Sequence, residues 1–206
     1  MVAIIDYGVG NLFSLRSSFA AIGKEAAVTS DPEEIRRSDR VILPGVGAFG
    51  DAAKKLRETG LDRIVLEEAE RGKPLMGICL GMQLLFDKSF EYGEHDGLGL
   101  LRGEIRPISE RIPTGLKIPQ MGWNALKIVR KAPILKYTEE GTFVYFVHSF
   151  SAVKCEDSLL ASTEYGAELT ACVGKKNVFG CQFHPEKSGK VGLQILKAFC
   201  ETEACI

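Results

Sequence analysis

Along the first eighty positions, short unbroken apolar runs alternate with apolar stripes of helical spacing. Residues 2–6 form one such run, ended by Tyr7-Gly-Val-Gly10, the mark of a strand buried on both faces. Leu12, Leu15, Phe19 and Ile22 then recur on one helical stripe, and Gly23 stops it. A second strand is expected at 27–29, with Asp31-Pro32 opening a short helix over 33–38. A third run, 41–43, is cut off by Pro44-Gly-Val-Gly47; helices over 51–58 and 61–71 follow, then a strand over 75–78. Strands alternating with helices predict a parallel sheet covered on both faces.

The second half has another texture. Strand-like runs at 105–108, 123–128, 142–147, 152–153, 160–162, 170–173 and 178–182 are separated by Gly, Pro and acidic turns. They predict a mixed or antiparallel extension of the same sheet. A helix over 191–199, with Leu193, Leu196 and Ala198, closes the pattern. No internal repeat or low-complexity tract interrupts it. The expectation is a single α/β domain over 1–206: an open, mostly parallel mixed sheet flanked by helices, with short antiparallel additions late in the chain.

Composition narrows the function classes. A formal net charge of −1 argues against nucleic acid or an anionic membrane as the main partner. The N-terminus lacks a basic region followed by a long apolar run, and no stretch is long enough to span a bilayer. Cysteines stand at 79, 155, 172, 181, 200 and 205 without a Cys-x-x-Cys pair, which points to a reduced cytoplasmic compartment. Apart from Cys79 they read as packing residues. Cys181 and His184 have metal-like spacing but lack two further ligands, so no metal is expected. Tyr7-Gly-Val-Gly10 lacks both the dinucleotide fingerprint and the Walker lysine, and no cofactor is expected either.

The chemistry concentrates at two places. Cys79 lies between Gly77 and Gly81, where a strand gives way to a helical pattern; this is the thiol form of a nucleophile elbow. A thiol at a helix N-terminus is biased toward thiolate. Far along the chain, Gln182-Phe-His184-Pro-Glu186-Lys-Ser188 supplies a base and a carboxylate. Pro185 favours an extended chain, and alternation along it would put His184 and Glu186 on one face, with the carboxylate orienting the ring. The ends of the strands before Pro44 and Cys79 would flank one crevice, where backbone N–H groups of Val46 and Leu80 converge on an oxyanion. His148 reads as structural or pocket-lining, and His95, in a polar turn, as solvated.

These residues resemble the class I (triad) glutamine amidotransferases, marked by a Gly-x-Cys-x-Gly elbow and a late His-Pro-Glu. Asp6-Tyr-Gly-Val-Gly-Asn-Leu12, Pro44-Gly-Val-Gly-Ala-Phe49, Gly77-Ile-Cys-Leu-Gly-Met-Gln83, Met121-Gly-Trp-Asn124, Tyr145-Phe-Val-His-Ser149 and the late motif narrow the likeness. Together they look like the glutaminase subunits of imidazole glycerol phosphate synthases, over nearly the whole chain. The triad alone identifies only the class. The glutaminases of anthranilate, aminodeoxychorismate or pyridoxal phosphate synthases share it, so does a lone cysteine hydrolase, and a non-catalytic binding module on the same fold stays open.

The resemblance implies that Cys79, His184 and Glu186 split glutamine into glutamate and ammonia. The ammonia would pass to a separate (βα)₈-barrel cyclase, the other half of a heterodimer, which forms imidazole glycerol phosphate and AICAR in histidine biosynthesis. Gly47 and Gln83 would hold the glutamine, with the backbone of Ser149 and Phe150 at its amino-acid end. Asn11, Met121, Trp123, Tyr145 and Lys187 match positions at or near the cyclase interface. Phe150 replaces a common Tyr and Gln120 a common His. With Ile206 soon after the last helix, the sequence looks like the two-subunit arrangement. Weak activity of the isolated subunit is expected, with the Gly45–Val46–Gly47 backbone as a switch that reorients the Val46 N–H.

Overall fold

In the computed structural model, which describes residues 1–203, the apolar runs of the first eighty positions are strands and the stripes are helices. The order is β1 (Val2–Ile5), α1 (Leu12–Ala21), β2 (Ala26–Thr29), α2 (Pro32–Arg37), β3 (Arg40–Leu43), α3 (Phe49–Glu58), α4 (Leu61–Glu70) and β4 (Leu75–Ile78). After one further residue, Cys79, the short helix α5 (Leu80–Leu84) begins. Asp31 caps α2, accepting from the Glu33 N–H at 2.9 Å, and Pro32 occupies the first turn, where its missing N–H would have had no partner anyway.

The second half supplies β5 (Phe86–Ser89), β6 (His95–Asp96), β7 (Leu101–Pro107), β8 (Gln120–Ile128), β9 (Phe143–His148), β10 (Phe150–Val153), β11 (Leu159–Glu164), β12 (Glu168–Lys175), β13 (Val178–Cys181) and α6 (Gly189–Cys200). Among the described residues, nine strands form the main sheet in the order β2-β1-β3-β4-β13-β12-β11-β8-β9. Neighbours are parallel from β2 to β13 and antiparallel from β13 to β9.

The other four strands, β10-β7-β5-β6, make a sheet of their own. This corrects the expectation of one extended sheet: the runs at 105–108 and 152–153 pair with each other, Ala152 opposite Ile105. β5 and β6 gave no apolar run to read. In β5 only Phe86 and Ser89 are buried, and the strand exists because its ladders to β7 and β6 hold it. His95 lies in β6, half-buried against the Phe49 ring at 6.5 Å, so it is not the solvated turn residue expected.

Alternation along β1 divides the core. Val2 and Ile4 pack with Leu15 and Phe19 of α1 and with Ile195, Leu196 and Phe199 of α6. Ala3 and Ile5 face the other way, toward Phe49, Leu56, Ile64 and Val65 of α3 and α4. Helices therefore cover both faces, and the carboxyl ends of β3, β4 and β13 lie side by side in the middle of the sheet. Ligands of open parallel sheets sit beyond such ends. Cys155, Cys172, Cys181 and Cys200 are buried in packing roles, while Cys205 lies outside the described residues.

Candidate active site

Cys79 has φ 55° and ψ −113°, a region that side chains other than glycine rarely occupy and that stores roughly 1–3 kcal/mol of strain. Its surroundings enforce that conformation. A Cβ on Gly81 would stand 1.8 Å from the Leu43 carbonyl oxygen, and one on Gly77 2.5 Å from the Gly81 oxygen. β3, β4 and α5 thus meet backbone to backbone around the thiol, an approach open only to glycine. The Cys79 N–H also donates to the Cys181 carbonyl at 2.7 Å, carrying the β4–β13 ladder one residue further. Cys79 is 8% exposed and lines a cleft of about 290 Å³.

His184 lines the same cleft, 2% exposed. Its Nδ1 is 2.8 Å from Glu186 Oε1, which also accepts from Asn11 Nδ2 at 3.4 Å. Residues Pro185–Lys187 form a tight 3₁₀ turn, not the extended segment expected, with Pro185 in the first position. The turn, and not strand alternation, brings the carboxylate back beside the ring. Burial disfavours the imidazolium, but interaction with Cys79 and the hydrogen bond and charge of Glu186 outweigh burial and raise the His184 pKa from 6.5 to about 9. A ring charged at neutral pH is the partner a thiolate needs. Tyr7, buried and donating to the Pro44 carbonyl at 2.7 Å, has its phenol pKa pushed up by burial and by the nearby Cys79 charge, so it stays neutral.

Val46, Gly47, Leu80, Gln83, Ser149 and Phe150 all line this cleft. Val46 is exposed and Gly47 has φ 91°. His148 lines it too, with Nδ1 2.7 Å from the Phe150 carbonyl and Nε2 2.9 Å from the Gln120 amide. Burial pulls its pKa down to about 4, so the ring is neutral. Oε1 of Gln120 stands at Nε2, and the Gln120 amide nitrogen has no partner. The Phe150 carbonyl can only accept, so Nδ1 carries the proton, and turning the Gln120 amide over would let its nitrogen donate to the bare Nε2.

Sequence reasoning missed Glu91. This 9% exposed carboxylate lies on the cleft wall and accepts from the Phe49 N–H at 2.6 Å. Burial raises its pKa, with the Phe49 N–H acting against it. A lone acid in the polar segment after β5 carries no periodic signal. Among the described residues, no group of three or more His, Cys, Asp and Glu is placed to hold a metal ion.

The five residues matched to a partner surface lie on β8, on β9, in the turn after His184 and just before α1. Met121 and Trp123, 63% and 53% exposed, share one face of β8, opposite Val147 and Tyr145 of β9. The Trp123 and Tyr145 rings meet edge-on at 6.0 Å, and Lys187 Nζ lies 5.9 Å from the Tyr145 centroid. Asn11 joins through Glu186. Phe13, 81% exposed, lines a shallow groove with Pro185 and Glu186 and adds an apolar side chain that the sequence pattern did not single out. Exposed aromatic and Met side chains next to a polar rim fit an interface core.

Residues 3–202 match the model of the family described as glutamine amidotransferase class-I. The imidazole glycerol phosphate synthase subunit HisH of Wolinella succinogenes is 52% identical over 203 residues, 98% of this chain and 99% of the relative. That of Lactococcus lactis is 49% identical over 201 residues, 97% of this chain and 98% of the relative. Among solved structures, a glutamine amidotransferase superposes with TM-score 0.76 at 20% identity, covering 98% of each chain. PurLQS from Thermotoga maritima gives TM-score 0.76 at 24% identity, covering 97% of this chain and 96% of that one. At such identities these two speak for the shared fold. No helix among the described residues is long and apolar enough to cross a membrane.

Proposed function

The chain belongs to the class-I glutamine amidotransferases, and from that premise we infer that it is the glutaminase subunit of an imidazole glycerol phosphate synthase. It hydrolyses glutamine and serves a cyclase in histidine biosynthesis. Relatives about half identical over nearly their whole length carry that name. The single observation that supports the chemistry is the strained Cys79 facing, in one cleft, an imidazole paired with a buried carboxylate.

The Cys79 thiolate attacks the side-chain amide carbon of glutamine, and the oxyanion so formed accepts from the Val46 and Leu80 N–H groups. His184 Nε2–H protonates the nitrogen as the C–N bond breaks, releasing ammonia and leaving a γ-glutamyl thioester. The now neutral ring takes a proton from water, hydroxide adds to the thioester, and the C–S bond breaks, releasing glutamate and restoring the Cys79 thiolate beside the charged ring. Glu186 keeps the ring oriented throughout. Gly47 and Gln83 hold the glutamine side, the Ser149 and Phe150 backbone receives its carboxylate end, and the Glu91 carboxylate suits its ammonium. The whole chain acts as one domain in the cytoplasm. Its partner is a (βα)₈-barrel cyclase bound as a heterodimer through Asn11, Met121, Trp123, Tyr145 and Lys187.

The His184 pKa sets a pH prediction. An ordinary ring is half deprotonated at 6.5, whereas this one keeps its proton up to about 9. The acid that must protonate the departing nitrogen is therefore present throughout the neutral range and lost as pH rises through about 9. In the complex, kcat/KM for glutamine is expected to hold from neutral pH to near 9 and to fall above it. A fall centred near 6.5 would contradict the pairing.

The surface reading has its own test. Truncating a central exposed aromatic typically removes ~2 kcal/mol or more of binding, about 30-fold in Kd. Trp123→Ala should weaken binding to the cyclase by that order in calorimetric titration. An unchanged Kd would place the interface elsewhere.

A further inference from the structure

One side chain beside the nucleophile is unused in the mechanism above. Gln182, the residue after β13, is fully buried. Its Nε2 donates to Cys79 Sγ at 3.7 Å, and its Oε1 accepts from Gln83 Nε2 at 3.0 Å. Gln83 Nε2 also donates to the Phe150 carbonyl, at 3.2 Å. A backbone carbonyl only accepts, so it fixes Gln83 with its amide nitrogen toward residue 150. That nitrogen has two hydrogens, and the second needs an acceptor. Gln182 must therefore turn its oxygen to Gln83, which aims its own nitrogen at the sulfur. His148 holds the same Phe150 carbonyl through Nδ1 at 2.7 Å. One peptide oxygen thus dictates the direction of two amides. Turned over, the Gln182 amide would set a carbonyl oxygen against a thiolate.

We propose that Gln182 is a positioning residue for the nucleophile: its Nε2–H donates to the Cys79 thiolate, and Gln83 locks that donor in place. The side chain that reads the glutamine then also fixes the group that charges the sulfur. The proposal rests on the glutaminase reading of the cleft. A hydrogen bond to a charged acceptor is roughly twice as strong as one to a neutral one, so an N–H fixed here favours thiolate over thiol. A residue that merely fills the core would be replaceable by any side chain of equal volume.

The test is the pH dependence of Cys79 alkylation by iodoacetamide in the intact free chain, read at the Cys79 peptide by mass spectrometry. Gln182→Met keeps the volume and removes the donor; Gln182→Glu puts an acceptor in its place. Both are expected to move the alkylation midpoint to higher pH by about one unit or more, Glu further than Met. In the cyclase complex, kcat for glutamine should fall about tenfold or more, with KM changed less. Gln83→Leu releases the lock and should move the midpoint the same way, although the assay contains no glutamine. An unchanged midpoint in a folded Gln182 variant overturns the proposal. If neither Gln182 variant folds, Gln83→Leu decides: a shift supports the lock, and an unchanged midpoint overturns it. A wild-type complex unable to hydrolyse glutamine would sink the reading of the cleft, while the alkylation profile would still judge the donor separately.

Discussion

Cys79→Ala is expected to abolish glutamine hydrolysis while leaving the chain folded. The substitution removes the only atom that can form the acyl intermediate, and loss of a nucleophile that works with its base costs on the order of 10⁶-fold in kcat. The oxyanion donors and the glutamine contacts survive, so binding should persist. The fold should persist because the deleted atom is the one sulfur of a residue that lines a cleft, and alanine meets the same backbone strain as cysteine at φ 55°. Thermal unfolding and glutamine binding by calorimetry would register both. Residual turnover within a hundredfold of wild type would mean that another group attacks the amide.

Gly81→Ala is expected to damage stability and activity together. Its new Cβ would lie 1.8 Å from the Leu43 oxygen, and Gly45 in turn lies so close that a Cβ there would be 2.7 Å from the Gly81 nitrogen. Both obstacles are backbone, so no side chain can swing away. β3 and α5 must separate, at roughly 3 kcal/mol or more, which for a chain of this size lowers Tm by about 6–12 °C. The displaced segments carry Pro44–Gly47 on one side and Cys79–Leu80 on the other. A shift of ~1 Å there is enough to lose about a hundredfold in rate. Differential scanning calorimetry and a glutaminase assay with the cyclase check the two effects. A variant with wild-type Tm would show that the strand end yields without strain.

The elbow was readable because its requirements are local: an apolar run, a glycine on each side of a cysteine, then a helical pattern. The parallel half followed for the same reason, since its strands are short and mostly apolar. Where structure depends on distant partners, the pattern fell silent. β5, with exposed Asp87 between buried Phe86 and Ser89, is a strand only through its ladders to β7 and β6, and the split into two sheets cannot be read from runs of that kind. The His184–Glu186 contact was expected for a different reason from the one that holds. Proline suits the first position of a 3₁₀ turn as well as an extended chain, and sequence alone does not choose between them. Glu91 escapes notice, and Gln182 opens the late motif without a role, because a single acid in a polar segment and a single amide after a strand look ordinary. Their meaning lies in what faces them, the cleft for one and Cys79 for the other.

The most direct measurement of the central claim uses a glutamine analogue whose side-chain amide is replaced by a chloroketone, added to the complex with the cyclase. One equivalent should attach to Cys79, glutaminase activity should disappear in step with labelling, and excess glutamine should protect. Inactivation with the label on another residue, or full labelling of Cys79 with glutamine turnover intact, would contradict the account.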